Sequence, residues 1–205
     1  MIQWTLWKGA SDPLRIIAGT HKGRVLTAPK GDFTRPTADR VKEAVFSMIG
    51  PYLDGGVVLD LFAGTGALGI ESLSRGAEHS VFVDKHTADV IETNLRNFGL
   101  QSRSTVLRAA YPAVWKRLVS GGWRYQWVFL DPPYRMEVCA QCMRDLAEGG
   151  LLQSRATIVT ELGRDAVTPS VEGFRCVRES RYGDTKIAVF RWEGEDASSR
   201  ISREF

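Results

Sequence analysis

From residue 57 onward the chain repeats one pattern: a short apolar run, a turn, and a stretch whose apolar residues recur at helical spacing. The spacing predicts strands near 57–61, 80–84, 104–107, 126–130 and 156–161, and helices near 66–75, 87–97, 111–119 and 136–147. Strands alternating with helices of this length imply right-handed crossovers and a parallel sheet covered on both faces. Two last apolar segments, near 174–179 and 186–192, are close enough to form an antiparallel hairpin at the sheet edge, which makes a mostly parallel sheet of seven strands. Upstream, Arg15-Ile16-Ile17-Ala18-Gly19 and Arg24-Val25-Leu26-Thr27-Ala28 flank the turn-like Thr20-His21-Lys22-Gly23 and predict a small N-terminal β-hairpin extension. Pro29 to Pro36 reads as a loop. Thr37 is a candidate N-cap for a helix in which Val41, Ala44, Val45, Met48 and Ile49 recur at helical spacing until Gly50-Pro51 stops the pattern. The expected organisation is a flexible extension at 1–14, a basic hairpin and helix at 15–50, the main α/β domain at 51–192 and a flexible polar tail at 193–205.

Composition narrows the class. With 43% hydrophobic and 25% charged residues, the chain fits neither a disordered nor a fibrous protein. No apolar run approaches the ~20 residues a bilayer span needs, and Met1 to Trp7 is too short for an export signal core, so a cytoplasmic protein without membrane contact is expected. Cys139 and Cys142 form a C-x-x-C, but they fall on a predicted helix and no second pair or histidine cluster completes a zinc site. They read as packing residues, with no metal expected; His79 and His86 read as surface residues near strand ends. Residues 1–50 carry eight Lys/Arg against four Asp/Glu, a balance of +4, so the remaining 155 residues sum to −1. A basic N-terminal segment on a near-neutral body suits a polyanion, although a solvated charged face reads the same way from charge alone.

Two motifs carry chemistry. Val57-Val58-Leu59-Asp60 runs into Leu61-Phe62-Ala63-Gly64-Thr65-Gly66, and Gly64-Thr65-Gly66-Ala67-Leu68-Gly69 satisfies G-x-G-x-x-G between a strand and a helix. Asp84 lies eighteen residues beyond Gly66 at the end of the next predicted strand. This pattern also matches a dinucleotide fingerprint, so a nicotinamide-dependent oxidoreductase stays open. Asp60 weighs against that alternative, because it stands where a pyrophosphate would pass. S-adenosylmethionine carries an ammonium and a sulfonium, which a carboxylate attracts. The second motif, Asp131-Pro132-Pro133-Tyr134, follows the apolar run Trp127-Val128-Phe129-Leu130. In an open parallel sheet both motifs fall at carboxyl ends of strands and face one crevice. There a carboxylate, a stiff proline loop with an outward carbonyl and an aromatic ring suit a flat group bearing a poorly nucleophilic amine.

With those residues in view, the sequence resembles the RsmD family of 16S ribosomal RNA guanine-N2 methyltransferases, of the Rossmann-like class I methyltransferase fold. The likeness covers residues 15–192: the hairpin, Arg35-Pro36-Thr37-Ala38-Asp39-Arg40-Val41-Lys42-Glu43, the Asp60-to-Gly66 turn, Asp131-Pro132-Pro133-Tyr134 and Tyr182-Gly183-Asp184-Thr185. Asp-Pro-Pro-Tyr alone is shared with DNA adenine and protein glutamine methylases, which remain alternatives for the acceptor, as does a non-catalytic RNA-binding assembly factor. The resemblance implies S-adenosylmethionine as cofactor and a guanine of small-subunit ribosomal RNA, within an assembling subunit, as acceptor; a monomer is expected. By that resemblance Asp60, Gly64 and Gly66 line the methionine part of the cofactor and Asp84 its ribose. Phe62, Ala63, Thr65, Lys85 and Ala110 complete the expected cofactor set. Asp131, Pro132, Pro133 and Tyr134 hold the guanine. His21, Lys22, Arg24, Lys30, Arg35 and Arg40 are expected to bind RNA backbone beside the crevice, while Arg35 and Arg40 suit helix entry and surface ion pairing equally well. The chain departs from the family after the third strand. Arg108-Ala109-Ala110-Tyr111 offers no Asp or Asn for the adenine amine, which leaves backbone groups or a weaker cofactor affinity.

Overall fold

The computed structural model describes residues 14–28, 39–132 and 136–194. A helix, α1 (Asp39–Ile49), precedes β1 (Val57–Asp60), α2 (Ala67–Ser74), β2 (His79–Val83), α3 (Ala88–Phe98) and, after a 3-10 turn, β3 (Ser104–Leu107). The chain continues through α4 (Trp115–Ser120), β4 (Tyr125–Leu130), α5 (Met136–Glu148), β5 (Leu152–Gly163), β6 (Phe174–Tyr182) and β7 (Thr185–Trp192). The seven strands form one sheet in the order β3-β2-β1-β4-β5-β7-β6. The first five strands are parallel, and β7 runs antiparallel to both of its neighbours. The expected terminal hairpin is thus present, with β6 at the edge. Among the described residues no helix is long and apolar enough to cross a membrane.

Alternation along the strands sorts side chains into two cores, as the period of two requires. Val58, Phe82, Phe129, Val159 and Val189 pack on the face covered by α1, α2 and α3. Leu59, Val81, Val128 and Ile158 pack on the other face with α4 and α5, where Cys139 and Cys142 are fully buried packing residues. Helix α2 lies unusually close to the sheet. A Cβ on Gly69 would stand 2.3 Å from the Phe82 ring, so only a glycine fits there.

One boundary is corrected, and one element takes a form the sequence left open. Strand β5 begins at Leu152, ahead of the predicted 156, because a register shift between Tyr125 and Trp127 accommodates the polar Gln153-Ser154-Arg155, and Arg155 adopts a left-handed φ of 58°. The expected N-terminal hairpin is present, short and docked on the body rather than a regular ladder. It holds one isolated antiparallel bridge, Arg15 to Val25, with Gly23 N also donating across to Ile16 O at 2.8 Å, while the amides of Ile17, Ala18, Thr20 and His21 are drawn to the body. Ile17 N and Ala18 N donate to the Glu71 carboxylate at 2.8 and 3.0 Å. Thr20 N donates to Ser74 O at 2.9 Å and His21 N to Ser74 Oγ at 2.9 Å. Gly19 permits that docking: a Cβ there would sit 1.8 Å from Ser74 O.

Glu71 is the centre of this attachment. It is fully buried and pairs with Arg75 at 2.7 Å and with the fully buried Lys42 of α1 at 3.6 Å. Lys42 also reaches Asp39 and the carbonyl of Arg15. Burial pulls the Lys42 ammonium below its ordinary range against the pull of the Glu71 and Asp39 charges. One of the eight N-terminal cations is therefore internal and contributes nothing to a surface patch.

Candidate active site

Strand β1 ends at Asp60, and the chain turns through Leu61 to Gly66 into α2. The sheet grips this turn from both sides: Leu61 N donates to Phe129 O at 3.1 Å and Ala63 N to Val83 O at 3.0 Å. Gly64 has φ +53°, and a Cβ there would meet nothing within 4 Å, so the turn leaves open space beside it. Asp60 is 3% exposed. Its Oδ2 accepts Gly69 N at 2.9 Å in the first turn of α2. Burial pushes the Asp60 carboxyl up to about 7, reinforced by the charge of Asp84 and opposed by the Gly69 bond. Asp84, at the end of β2, accepts Gly64 N at 3.1 Å, His86 N at 2.7 Å and Thr87 N at 2.9 Å. It staples the glycine turn to the start of α3. The carbonyl of Thr65 accepts from the buried Asn94 amide at 3.1 Å, and Asn94 also exchanges two bonds with the backbone of Thr27.

Asp131 follows β4 at the same end of the sheet and is half-buried, with Pro132 buried behind it. It lines one recess with Asp60, Phe62, Ala63, Gly64 and Thr65. It also lines a second recess with Val41, Val45, Phe129, Glu161 and Ile187, between α1 and the sheet. The tips of β1 and β4 thus face one space, and a carboxylate stands where two compartments join. Burial, with the Asp131 charge adding to it, pushes the Cys139 thiol up to about 12, which makes it an inert neighbour. Pro133 and Tyr134 lie outside the described residues.

The residues expected to hold S-adenosylmethionine fit such a ligand. Carboxylates stand at the ends of β1 and β2, space opens against the Gly64 turn, and Lys85 and Ala110 are exposed. Past β3, Arg108 pairs with Asp89 and the Tyr111 hydroxyl donates to Asp145 at 2.5 Å, with the Tyr111 ring set edge-on to Phe62 at 6.3 Å. Both polar side chains after β3 are thereby engaged within the protein.

The expected RNA-binding residues separate. The hairpin tip packs on Ser74 and Phe98, at the C-terminal ends of α2 and α3, whereas the two recesses lie at the carboxyl ends of the strands. His21 places its ring over Phe98 at 6.0 Å and bonds Phe98 O at 3.1 Å; the Arg24 guanidinium lies 4.4 Å over the same ring and bonds Asn97 O. These two side chains close the end of α3 rather than standing beside the crevice. Lys22 is exposed at the tip, and Arg40 is exposed on α1 next to Val41, a wall of the second recess. Lys30 and Arg35 lie outside the described residues.

Sequence reasoning did not single out Glu161, Asn94 or Glu71. The last had a signal: a lone acid within the otherwise apolar and small Ala67-to-Ser74 helix, with Arg75 four residues on. Glu161 and Asn94 carried none, because their partners come from distant segments.

Comparison with known proteins agrees with this architecture. The family described as "Conserved hypothetical protein 95" matches residues 14–191. The chain is 40% identical over 188 residues to "Putative rRNA methyltransferase YlbH" of Bacillus subtilis, covering 88% of this chain and 100% of that one. It is 32% identical over 184 residues to "Ribosomal RNA small subunit methyltransferase D" of Haemophilus influenzae, covering 89% and 95%. The solved structure titled "Putative methyltransferase yhhF from Escherichia coli" superposes with a TM-score of 0.77 at 26% identity, covering 90% of this chain and 100% of that one.

Proposed function

The chain belongs to the conserved hypothetical protein 95 family, that of the RsmD methyltransferases, and we propose that it transfers a methyl group from S-adenosylmethionine to the exocyclic N2 amine of a guanine in small-subunit ribosomal RNA. The observation that carries this reading is the position of Asp131, shared by the recess of the glycine turn and the recess under α1. The printed name of the Haemophilus relative supports the small-subunit RNA as acceptor. Asp60 argues against a dinucleotide, since its carboxylate would face a pyrophosphate.

S-adenosylmethionine supplies an electrophilic methyl on a sulfonium. Asp60 offers charge to its cationic methionine part, Gly64 leaves the backbone approachable, and Asp84 offers acceptor capacity for a ribose while bracing the turn. Asp131 accepts a hydrogen bond from the guanine amine, which favours the pyramidal nitrogen and stabilises the positive charge that grows there during transfer. Proton loss then goes to Asp131 or to water. The guanine leaves its stack to reach the recess, which favours an assembling subunit whose target base is still accessible. Arg40, exposed beside that recess, contacts RNA phosphate. Small-subunit particles from cells lacking the protein should take up label from methyl-labelled cofactor only when the protein is added. Failure with particles and with every assembly intermediate would remove the enzymatic reading.

Cofactor binding should depend on pH through Asp60. Its carboxyl is neutral below about 7 and charged above it, and the cofactor ammonium prefers the charged form. Affinity for S-adenosylhomocysteine should therefore rise by about tenfold from pH 6 to pH 8, as expected for a ligand that requires the ionised group. In Asp60→Asn the calorimetric profile should be flat. A flat wild-type profile would detach Asp60 from the cofactor's charge.

A further inference from the structure

The recess under α1 holds a second carboxylate that the transfer reaction as described does not use. Strands β4 and β5 pair in parallel with Leu130 opposite Thr160, so the next residue on each, Asp131 and Glu161, emerges side by side at the crevice end. Neighbouring strands lie about 4.8 Å apart. Each lies two residues beyond Phe129 or Val159 and so shares the α1 face with it, and both line the recess walled by Val41, Val45 and Ile187. Glu161 is held there by β7. Thr185, the first residue of β7, donates its hydroxyl to Glu161 Oε1 at 3.0 Å, and Thr185 is itself buried at the β6–β7 turn.

Resting on the reading of this site as a guanine methyltransferase, we infer that Glu161 is the residue that selects guanine, its carboxylate accepting the N1–H of the base while Asp131 accepts an N2–H. Guanine presents two adjacent donors on this edge, the N1–H and the N2 amine, and two neighbouring acceptors match them. Adenine presents its amine beside a bare N1 lone pair, and cytosine its amine beside a bare N3. Either would turn a lone pair toward the Glu161 carboxylate between apolar walls, where an unmatched charge is costly. A site built to hydrogen-bond a substrate N–H rejects analogues lacking it far more strongly than an apolar pocket rejects a size change. Acceptance of the N1–H also pushes electron density into the ring and toward N2, so the same contact assists the amine. Glu161 moves no proton and forms no bond to carbon; it is a specificity-determining residue.

The test uses 2-aminopurine, which keeps the N2 amine but has a bare N1. Small-subunit RNA is rebuilt by ligation with guanine or 2-aminopurine at the methylated position, assembled into particles and presented to the full-length protein. Wild type should favour guanine over 2-aminopurine by ~10²-fold or more in kcat/KM. Glu161→Gln, whose amide can donate to a bare N1, should lose ~10-fold or more on guanine, hold or gain on 2-aminopurine, and keep its affinity for S-adenosylhomocysteine. Thr185→Val, which releases the carboxylate without removing it, should shift the preference in the same direction by less. Equal losses on both bases, or an unchanged preference in Glu161→Gln, would reduce Glu161 to a pin between β5 and β7 and overturn the inference. A wild-type protein inert on the guanine particle would overturn the methyltransferase reading and this inference with it, so the two failures are distinguishable.

Discussion

Asp131→Asn should slow methyl transfer by ~10²- to 10³-fold while S-adenosylhomocysteine affinity stays within about threefold, the range expected when one preorganised charge facing the reacting atoms is neutralised. The substitution keeps shape and one acceptor oxygen, so it removes charge with little change in packing. Asp131 borders the recess of the glycine turn as well as the recess under α1, and the separation of kcat from cofactor affinity decides which compartment it serves. In the proposed arrangement the cofactor's cationic part would have Asp60, at the end of β1, beside it. Charge on the accepting amine, by contrast, appears only as the methyl moves, and Asp131 is the carboxylate at the junction. Binding calorimetry beside single-turnover rates reads both quantities. A loss of affinity as large as the loss of rate would place Asp131 in the cofactor site instead.

The largest effect on stability is expected away from the crevice. Glu71→Ala should cost about 3–5 kcal/mol, because removal of one partner leaves a buried charge uncompensated. Lys42 would keep only Asp39 and the Arg15 carbonyl, Arg75 would lose its 2.7 Å partner, and Ile17 N and Ala18 N would lose their acceptor. Urea denaturation gives the free energy, and hydrogen exchange should show the Ile17 and Ala18 amides losing protection first. Lys42→Met placed on top of Glu71→Ala should cost much less than Lys42→Met alone, since the two residues are coupled. A loss below about 1 kcal/mol in Glu71→Ala would contradict the network's role.

What could be read in the sequence follows from where each partner lies. Strands β1 to β4 were legible because parallel strands covered on both faces read as apolar runs, and their parallel sense followed from the alternating helices. The opening of β5 was hidden by Gln153-Ser154-Arg155, which a bulge carries within the sheet. Asp60, the glycine turn and Asp131 were legible because strand ends and turns put them there by local rules. The buried network was not. Lys42 looked like one more surface cation in a basic segment, and only the fold brings it to Glu71, the residue that also takes the hairpin's amides. Likewise Arg24 and His21 read as free for RNA, yet the aromatic ring of Phe98 and the carbonyls ending α3 hold them far from the crevice. Glu161 became visible only when the pairing of β4 with β5 set it beside Asp131.

The central claim is that one crevice holds a methyl donor on the β1 side and a guanine amine on the β4 side. Mass spectrometry of nucleosides tests it most directly, on small-subunit RNA from cells with the protein, without it, and with the Asp131→Asn form. The account predicts one N2-methylguanosine present with the wild-type protein, absent without it and strongly depleted with the variant. An unchanged nucleoside profile, or loss of a methyl from a different base or ring position, would contradict it.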